Sequence, residues 1–178
     1  MGKRRQARQD KRTERRGGTA PTRYQMREKL VAVRDVFFIK DGDGNNVFKV
    51  QGKLLRARTT LHFEDMQGNL LCKVQERVLR VKDTMNVEGA DGTTIAVAKK
   101  AIISPVRDRW IVKIGDGADL KVQGNILDHT YKIGEGGKQV AEVSKKWFRV
   151  RDTYGVEIAP GQNDIVILAT TVALDMMS

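Results

Sequence analysis

The chain has one cysteine, two histidines and an aromatic content of only 6%. A lone thiol, Cys72, cannot close an internal disulfide, which points to a reducing compartment. His62, His129 and Cys72 are the whole supply of imidazole and thiolate ligands. None lies at the spacing of a helical or knuckle site, so neither a metal nor a cofactor is expected. No apolar stretch reaches the roughly 18 residues of a membrane-spanning helix. None follows the N-terminal charges as a secretory signal would require, so the expected location is the cytoplasm. The start Met1-Gly2-Lys3-Arg4-Arg5-Gln6 lacks the hydroxyl residue that N-myristoylation requires at its sixth position. Ser104 and Ser144 sit in no nucleophile-elbow pattern, and the glycines near Gly115 and Gly134 lack the Lys-Ser/Thr of a phosphate-binding loop. No catalytic constellation is visible, and the expectation is a protein that is not an enzyme.

Positive charge is what the chain has in excess, with a net +11. Residues 1–22 hold Lys3, Arg4, Arg5, Arg8, Lys11, Arg12, Arg15 and Arg16 against Asp10 and Glu14, and no aliphatic side chain larger than alanine apart from Met1. Such a segment cannot offset its own ordering entropy and is predicted to be a disordered basic tail. It would act as an electrostatic tether for nucleic acid or an anionic membrane surface, or else remain a solvated tail without a specific partner. Its arginines are not interleaved with aromatic residues that would stack on bases. Residues 23–178 form the predicted folded domain, expected to be a monomer.

Within that domain the chain repeats itself. Lys49-Val50-Gln51-Gly52 returns as Lys121-Val122-Gln123-Gly124, and Arg80-Val81-Lys82-Asp83-Thr84 as Arg149-Val150-Arg151-Asp152-Thr153. The two echoes keep their order at offsets of 72 and 69 residues, which suits two similar halves around one core rather than a solenoid. Short apolar runs alternate with turn signals such as Asp41-Gly-Asp-Gly-Asn45, Asp65-Met-Gln-Gly-Asn69 and Gly134-Glu-Gly-Gly137, the pattern of an antiparallel meander. Asp41–Asn45 also resembles the opening of a calcium loop, but Asn46 and Gly52 stand where that loop needs glycine and a bidentate glutamate. A hairpin turn is the expectation. Residues 163–177 differ from everything before them: after Pro160-Gly161, Asn163 or Asp164 can cap a helix that carries no polar stripe. About 15 residues span only about 22 Å, so that helix is expected inside protein rather than lipid.

Several stretches, taken in order, resemble the LURP-one-related branch of the tubby C-terminal fold. They are Arg27–Leu30, Val47–Lys53, Asp65–Asn69, Ser144–Trp147, Asp152–Tyr154 and Asp164–Ala169, spread over about residues 24–176. The resemblance implies a mainly β fold, a closed antiparallel barrel of about twelve short strands enclosing the C-terminal helix. It also implies kinship with phospholipid scramblases and phosphoinositide-binding tubby proteins, and it brings no catalytic residue set. In Leu79–Lys82 and Phe148–Arg151, apolar residues alternate with basic ones in the same phase, as on strands with one face in water. Arg77, Arg80 and Lys82, with their counterparts Lys145 or Lys146, Arg149 and Arg151, are therefore the candidate residues for an anionic ligand. The functional expectation is a binding domain for anionic lipid headgroups or another phosphorylated ligand. The alternatives are a nucleic-acid-associated protein acting through the tail and a scaffold for other proteins.

Overall fold

The structure, a computed structural model, describes residues 19–27, 36–55, 58–76, 84–101, 109–148 and 152–178. Twelve strands follow one another: β1 (Thr22–Arg27), β2 (Val36–Asp41), β3 (Asn46–Leu55), β4 (Arg58–Asp65), β5 (Leu70–Glu76) and β6 (Thr84–Gly89), then β7 (Thr94–Ala101), β8 (Arg109–Ile114), β9 (Leu120–Asn125), β10 (Thr130–Glu135), β11 (Lys138–Ser144) and β12 (Thr153–Ile158). Each pairs antiparallel with its neighbour in sequence, and β1 pairs with β12 to close the barrel. Closure leaves no open strand edge among these elements.

The internal repeat marks a two-fold relation within the ring. Lys49–Gly52 lies on β3 and Lys121–Gly124 on β9, six strands on, while Thr84 opens β6 and Thr153 opens β12, again six strands on. Val50 and Val122 are both buried in the core, and Lys49 and Lys121 both point outward.

Three hairpins share one frame, at Asp41–Asn45, Asp65–Asn69 and Gly89–Thr93. In each, the first residue's N–H donates to the fifth carbonyl, at 2.9, 3.0 and 2.8 Å. The glycine in fourth place needs a positive φ, 83° at Gly44 and 87° at Gly68, and the ladder shifts register beside each turn. The Asp41 carboxylate accepts from the N–H groups of Asp43 and Asn45 at 3.0 and 2.9 Å, so the group that a calcium loop would offer to the ion is engaged by its own turn. Asp65 is held in the same way, and hydrogen bonds from the Asn69 side chain and backbone lower its pKa. A depressed native pKa means that this stabilisation is present above the ordinary carboxylate range and is lost as pH falls through the lowered value.

Helix α1 (Asp164–Met177) fills the barrel. Its N-cap is Asn163, whose side-chain oxygen accepts from the Val166 N–H at 3.3 Å. Ile167 through Leu174 are all buried, eight consecutive residues covering every side of the helix. Against them stand Phe63, Cys72, Val74, Val87, Ile133, Val143 and Val156 from the inner face of the sheet. The two buried hydroxyls on this stretch are Thr170 and Thr171, and Thr171 donates to the Ile167 carbonyl at 3.0 Å, bonding within the helix.

This packing sets the expected cost of substitutions. Leu168→Ala, at the centre of the filled barrel, is expected to lower the unfolding free energy by about 2–5 kcal/mol. Gly68→Ala, which only forces a side chain into the left-handed region, should lower it by about 1–2 kcal/mol. Urea denaturation of the three proteins checks the order.

Candidate functional site

Because the strands alternate in direction, the barrel has two ends, and they differ in charge. One end holds the turns at 42–45, 66–69, 90–93, 115–119 and 136–137 and the connection at 159–163. There Asp43, Asp65, Asp91, Asp116, Asp119 and Glu135 stand against Lys40, Lys113 and Lys138. At the opposite end the described residues include Arg27, Lys99, Lys100, Lys145 and Lys146, against Glu76, Asp128 and Asp152. Five sequence stretches, 28–35, 56–57, 77–83, 102–108 and 149–151, join strand ends at this second end, and together they contain nine basic and four acidic residues. The described residues as a whole carry 16 Lys and Arg and 16 Asp and Glu, so the net charge of +11 belongs entirely to residues outside them.

Of the candidate anion-binding residues, Lys145 and Lys146 are described. Arg77, Arg80, Lys82, Arg149 and Arg151 lie outside the described residues, as do the basic residues Lys3 to Arg16 of the tail. Lys145 and Lys146 were expected on a strand face but instead form, with Trp147, a single 3-10 turn after β11. Ser144 explains the change, because its hydroxyl accepts from the Lys146 N–H at 3.2 Å and ends the ladder. Trp147 and Phe148 then fold over Gly155 of β12, where a Cβ would come within 2.7 and 2.8 Å of their rings. Only glycine lets these aromatic rings lie on the strand. Arg23 stacks on Trp147, 5.4 Å from its centroid, and its Nε donates to Glu157 at 2.5 Å. The result is a fixed turn that presents Lys146 to solvent beside an aromatic pair.

The sequence reading missed a buried polar cluster under this end of the barrel. His129, in the turn between β9 and β10, has φ 47°, an unusual conformation for a residue other than glycine. Its Nε2 donates to Asp175 Oδ1 at 2.6 Å, and the Tyr154 hydroxyl donates to Asp175 Oδ2 at 3.0 Å. The His129 ring also stacks on Tyr154 at 4.2 Å. Tyr131 faces the same group, and burial first, then the Asp175 charge, pushes its phenol well above its ordinary value. A carboxylate at a helix C-terminus is disfavoured by the helix dipole, which makes the two donors to Asp175 necessary. At the other end of α1, Tyr24 donates to Asp164 at 2.5 Å. The helix is thus fastened to the barrel wall at each end by tyrosine and aspartate. In sequence, the separation of 46 residues between His129 and Asp175 gives no periodic signal of their meeting.

Cys72 is fully buried on β5, and burial pushes its thiol up to about 12. It is a core residue, with almost no thiolate at neutral pH. His62 lies on the outer side of β4, and no group of three or more His, Cys, Asp and Glu side chains among the described residues is arranged to hold a metal.

Two measurements follow from this geometry. Asp175→Ala strands the His129 and Tyr154 donors in a buried site and is expected to cost about 2–4 kcal/mol in chemical denaturation. Cys72 should resist a disulfide reagent at about pH 8 in the native protein and react promptly in denaturant.

The fold has counterparts in known proteins. The family model described as LURP-one-related matches residues 22–175, nearly all of the described barrel and helix. An uncharacterised protein of Bacillus subtilis, YxjI, is 24% identical over 152 residues, covering 85% of this chain and 91% of that protein. The X-ray structure of an Arabidopsis thaliana protein, AT5G01750, superimposes with a TM-score of 0.65 at 18% identity, covering 91% of this chain and 93% of that one. At that identity the likeness concerns the fold alone. The family model spans both halves of the barrel and the helix, and on that match this chain belongs to the LURP-one-related family.

Proposed function

We propose that this chain is a non-enzymatic, cytoplasmic binding domain that sets the basic end of its barrel against an anionic lipid surface, with phosphorylated headgroups as the ligand class. The observation that carries this reading is the division of charge. The described barrel is neutral overall and acidic at one end, while the excess basic residues occur in the stretches joined to the other end and in the tail. A surface with that asymmetry orients itself in the field of an anionic membrane, where each nearby basic residue contributes about 1 kcal/mol. The Lys145–Lys146 turn supports the reading from the described side, because its ammonium groups sit on a rigid element beside Trp147 and Phe148. The family's resemblance to phosphoinositide-binding tubby proteins favours the same ligand class. The tail does not simply enlarge this end. Thr22 opens β1 opposite Ile158 of β12, at the acidic end, so residues 1–21 are joined to the barrel opposite Lys145 and Lys146.

Vesicle sedimentation tests the proposal. The protein is expected to pellet with vesicles containing acidic phospholipid and to stay in solution with neutral ones. The double charge reversal Lys145→Glu and Lys146→Glu should weaken the partition by about tenfold or more at low salt. Equal pelleting with both vesicle types would sink the proposal. Retention of a single-stranded RNA by the full chain, lost when residues 1–22 are removed and accompanied by no vesicle binding, would replace it with the nucleic-acid reading.

A further inference from the structure

A second cationic surface lies on the flank of the barrel, away from Lys145 and Lys146. Strands β3, β4 and β5 are neighbours, and their pairing sets Gln51, His62 and Lys73 in one outward row and Lys53, Thr60 and Gln75 in the next. Directly opposed residues on a sheet face have Cβ atoms about 4.5–5.5 Å apart and diagonal ones about 7–8 Å. Lys53 and Lys73 therefore stand diagonally across His62 and Thr60, close enough for four side chains to converge on one small group.

These side chains are short of partners in an unusual way. Thr60 is 1% exposed, yet its hydroxyl has no hydrogen-bond partner, and the buried His62 Nε2 has none either. On the adjoining β6, Thr84 Oγ1 and Asn86 Oδ1 are likewise buried and unpartnered. Buried polar atoms are ordinarily satisfied, so several orphans on one patch of sheet call for a ligand or water. The charges point to its sign. Among the described residues neither Lys53 nor Lys73 has a carboxylate within ion-pair distance, although Glu88 lies opposite Lys73 in register. The nearby Glu64 is taken by Lys49 at 3.0 Å. Burial first, then Lys53 and Lys73, lower the pKa of His62, while Glu64 acts in the opposite sense.

We infer that the outer face of β3–β5 is a binding site for a tetrahedral oxyanion, the phosphate or sulfate group of a small ester, held by Lys53, Lys73, His62 and Thr60. The two ammonium groups supply charge-assisted hydrogen bonds, the Thr60 hydroxyl and the imidazole Nε2–H donate to the remaining oxygens, and both orphaned atoms gain partners. Lysine stems lie along the strand face and their heads remain free to turn toward a ligand. This site lies on the outer wall of β3–β5, beside the basic end but on strands other than those flanking Lys145 and Lys146, and it does not rest on the membrane reading.

Proton linkage gives the site a signature. A dianion placed between Lys53 and Lys73 opposes the effect of those ammoniums and raises the pKa of His62. Its affinity therefore grows as pH falls through the range between the raised and the lowered value. The groups facing His62 are Lys49 and Lys53 on β3, Glu64 on β4, Lys73 on β5 and Glu88 on β6. Inorganic sulfate is the suitable probe, because its own charge stays constant across this range while that of phosphate does not.

The experiment is an NMR titration of the His62 imidazole in the full chain with sodium sulfate, at constant ionic strength and at several pH values. A parallel arm uses vesicles carrying phosphatidic acid, which distinguishes a lipid-borne oxyanion from a free one. The expected result is a saturable shift of His62 with its pKa raised in the bound state, and affinity lower by about tenfold or more in Lys53→Gln/Lys73→Gln. Circular dichroism of that variant, together with a Lys121→Gln control on the symmetry-related half, separates loss of ligand from loss of fold. Absence of a His62 shift in both arms, or a shift that persists unchanged in a folded Lys53→Gln/Lys73→Gln protein, overturns the inference. Vesicle pelleting of the same variant reads the basic end separately: pelleting kept with the His62 response lost supports two independent sites.

Discussion

Everything in this structure depends on enclosing a helix that has no polar side. Ile167 to Leu174 are buried without interruption, so α1 must be covered through its full circumference. A single sheet covers one face and a sandwich two, whereas a ring of strands covers all of them. Twelve strands closed by the β1–β12 pair supply that ring, and the helix in turn supplies the apolar filling that a barrel of this circumference requires. Neither part is stable as drawn without the other. The polar contacts come at the ends, where Asp164 and Asp175 fix the depth and rotation of α1 through Tyr24, Tyr154 and His129.

The inward apolar side chains of the described strands form one core with α1, and the outward ones form the wall that a ligand would meet from outside. That wall is not uniform. The duplicated strands β3 and β9 both carry an outward lysine, Lys49 and Lys121, yet Lys49 is neutralised by Glu64 while Lys121 is exposed. Duplication preserved the inward residues, which packing constrains, and left the outward ones free to diverge. Differences between the halves are therefore better guides to a ligand than the features they share.

Much of the architecture was legible in the sequence because it rests on local signals. The Asp-x-x-Gly-Asn turns announce hairpins through the φ values they need, and Asn163 followed by an unbroken apolar run announces a capped, enclosed helix. The repeat foretold two related halves, and the structure places its members six strands apart. What local signals could not convey was the third dimension. Lys145 and Lys146 were placed on a strand face only as the repeat's counterparts of Arg77, whereas the Ser144 cap and the missing side chain at Gly155 set them in a 3-10 turn. His129 meets Asp175 across the barrel, a contact between residues far apart in the chain that no periodicity reports. Lys53 and Lys73 drew no notice singly, because their significance lies in being diagonal across β4.

The connectivity of the barrel also constrains how its charges can act together. Odd-numbered strands run toward the basic end and even-numbered ones return, so turns of the acidic end and connections of the other end alternate along the chain at intervals of one strand. Such alternation produces almost no bias in composition over any long window, and for that reason the barrel reads as nearly neutral in sequence. Among the described residues, folding gathers Asp43, Asp65, Asp91, Asp116 and Asp119 at one end and Lys99, Lys100, Lys145 and Lys146 at the other. Strand β1 starts at the acidic end, so the N-terminal segment joins the barrel there, at the end opposite Lys145 and Lys146.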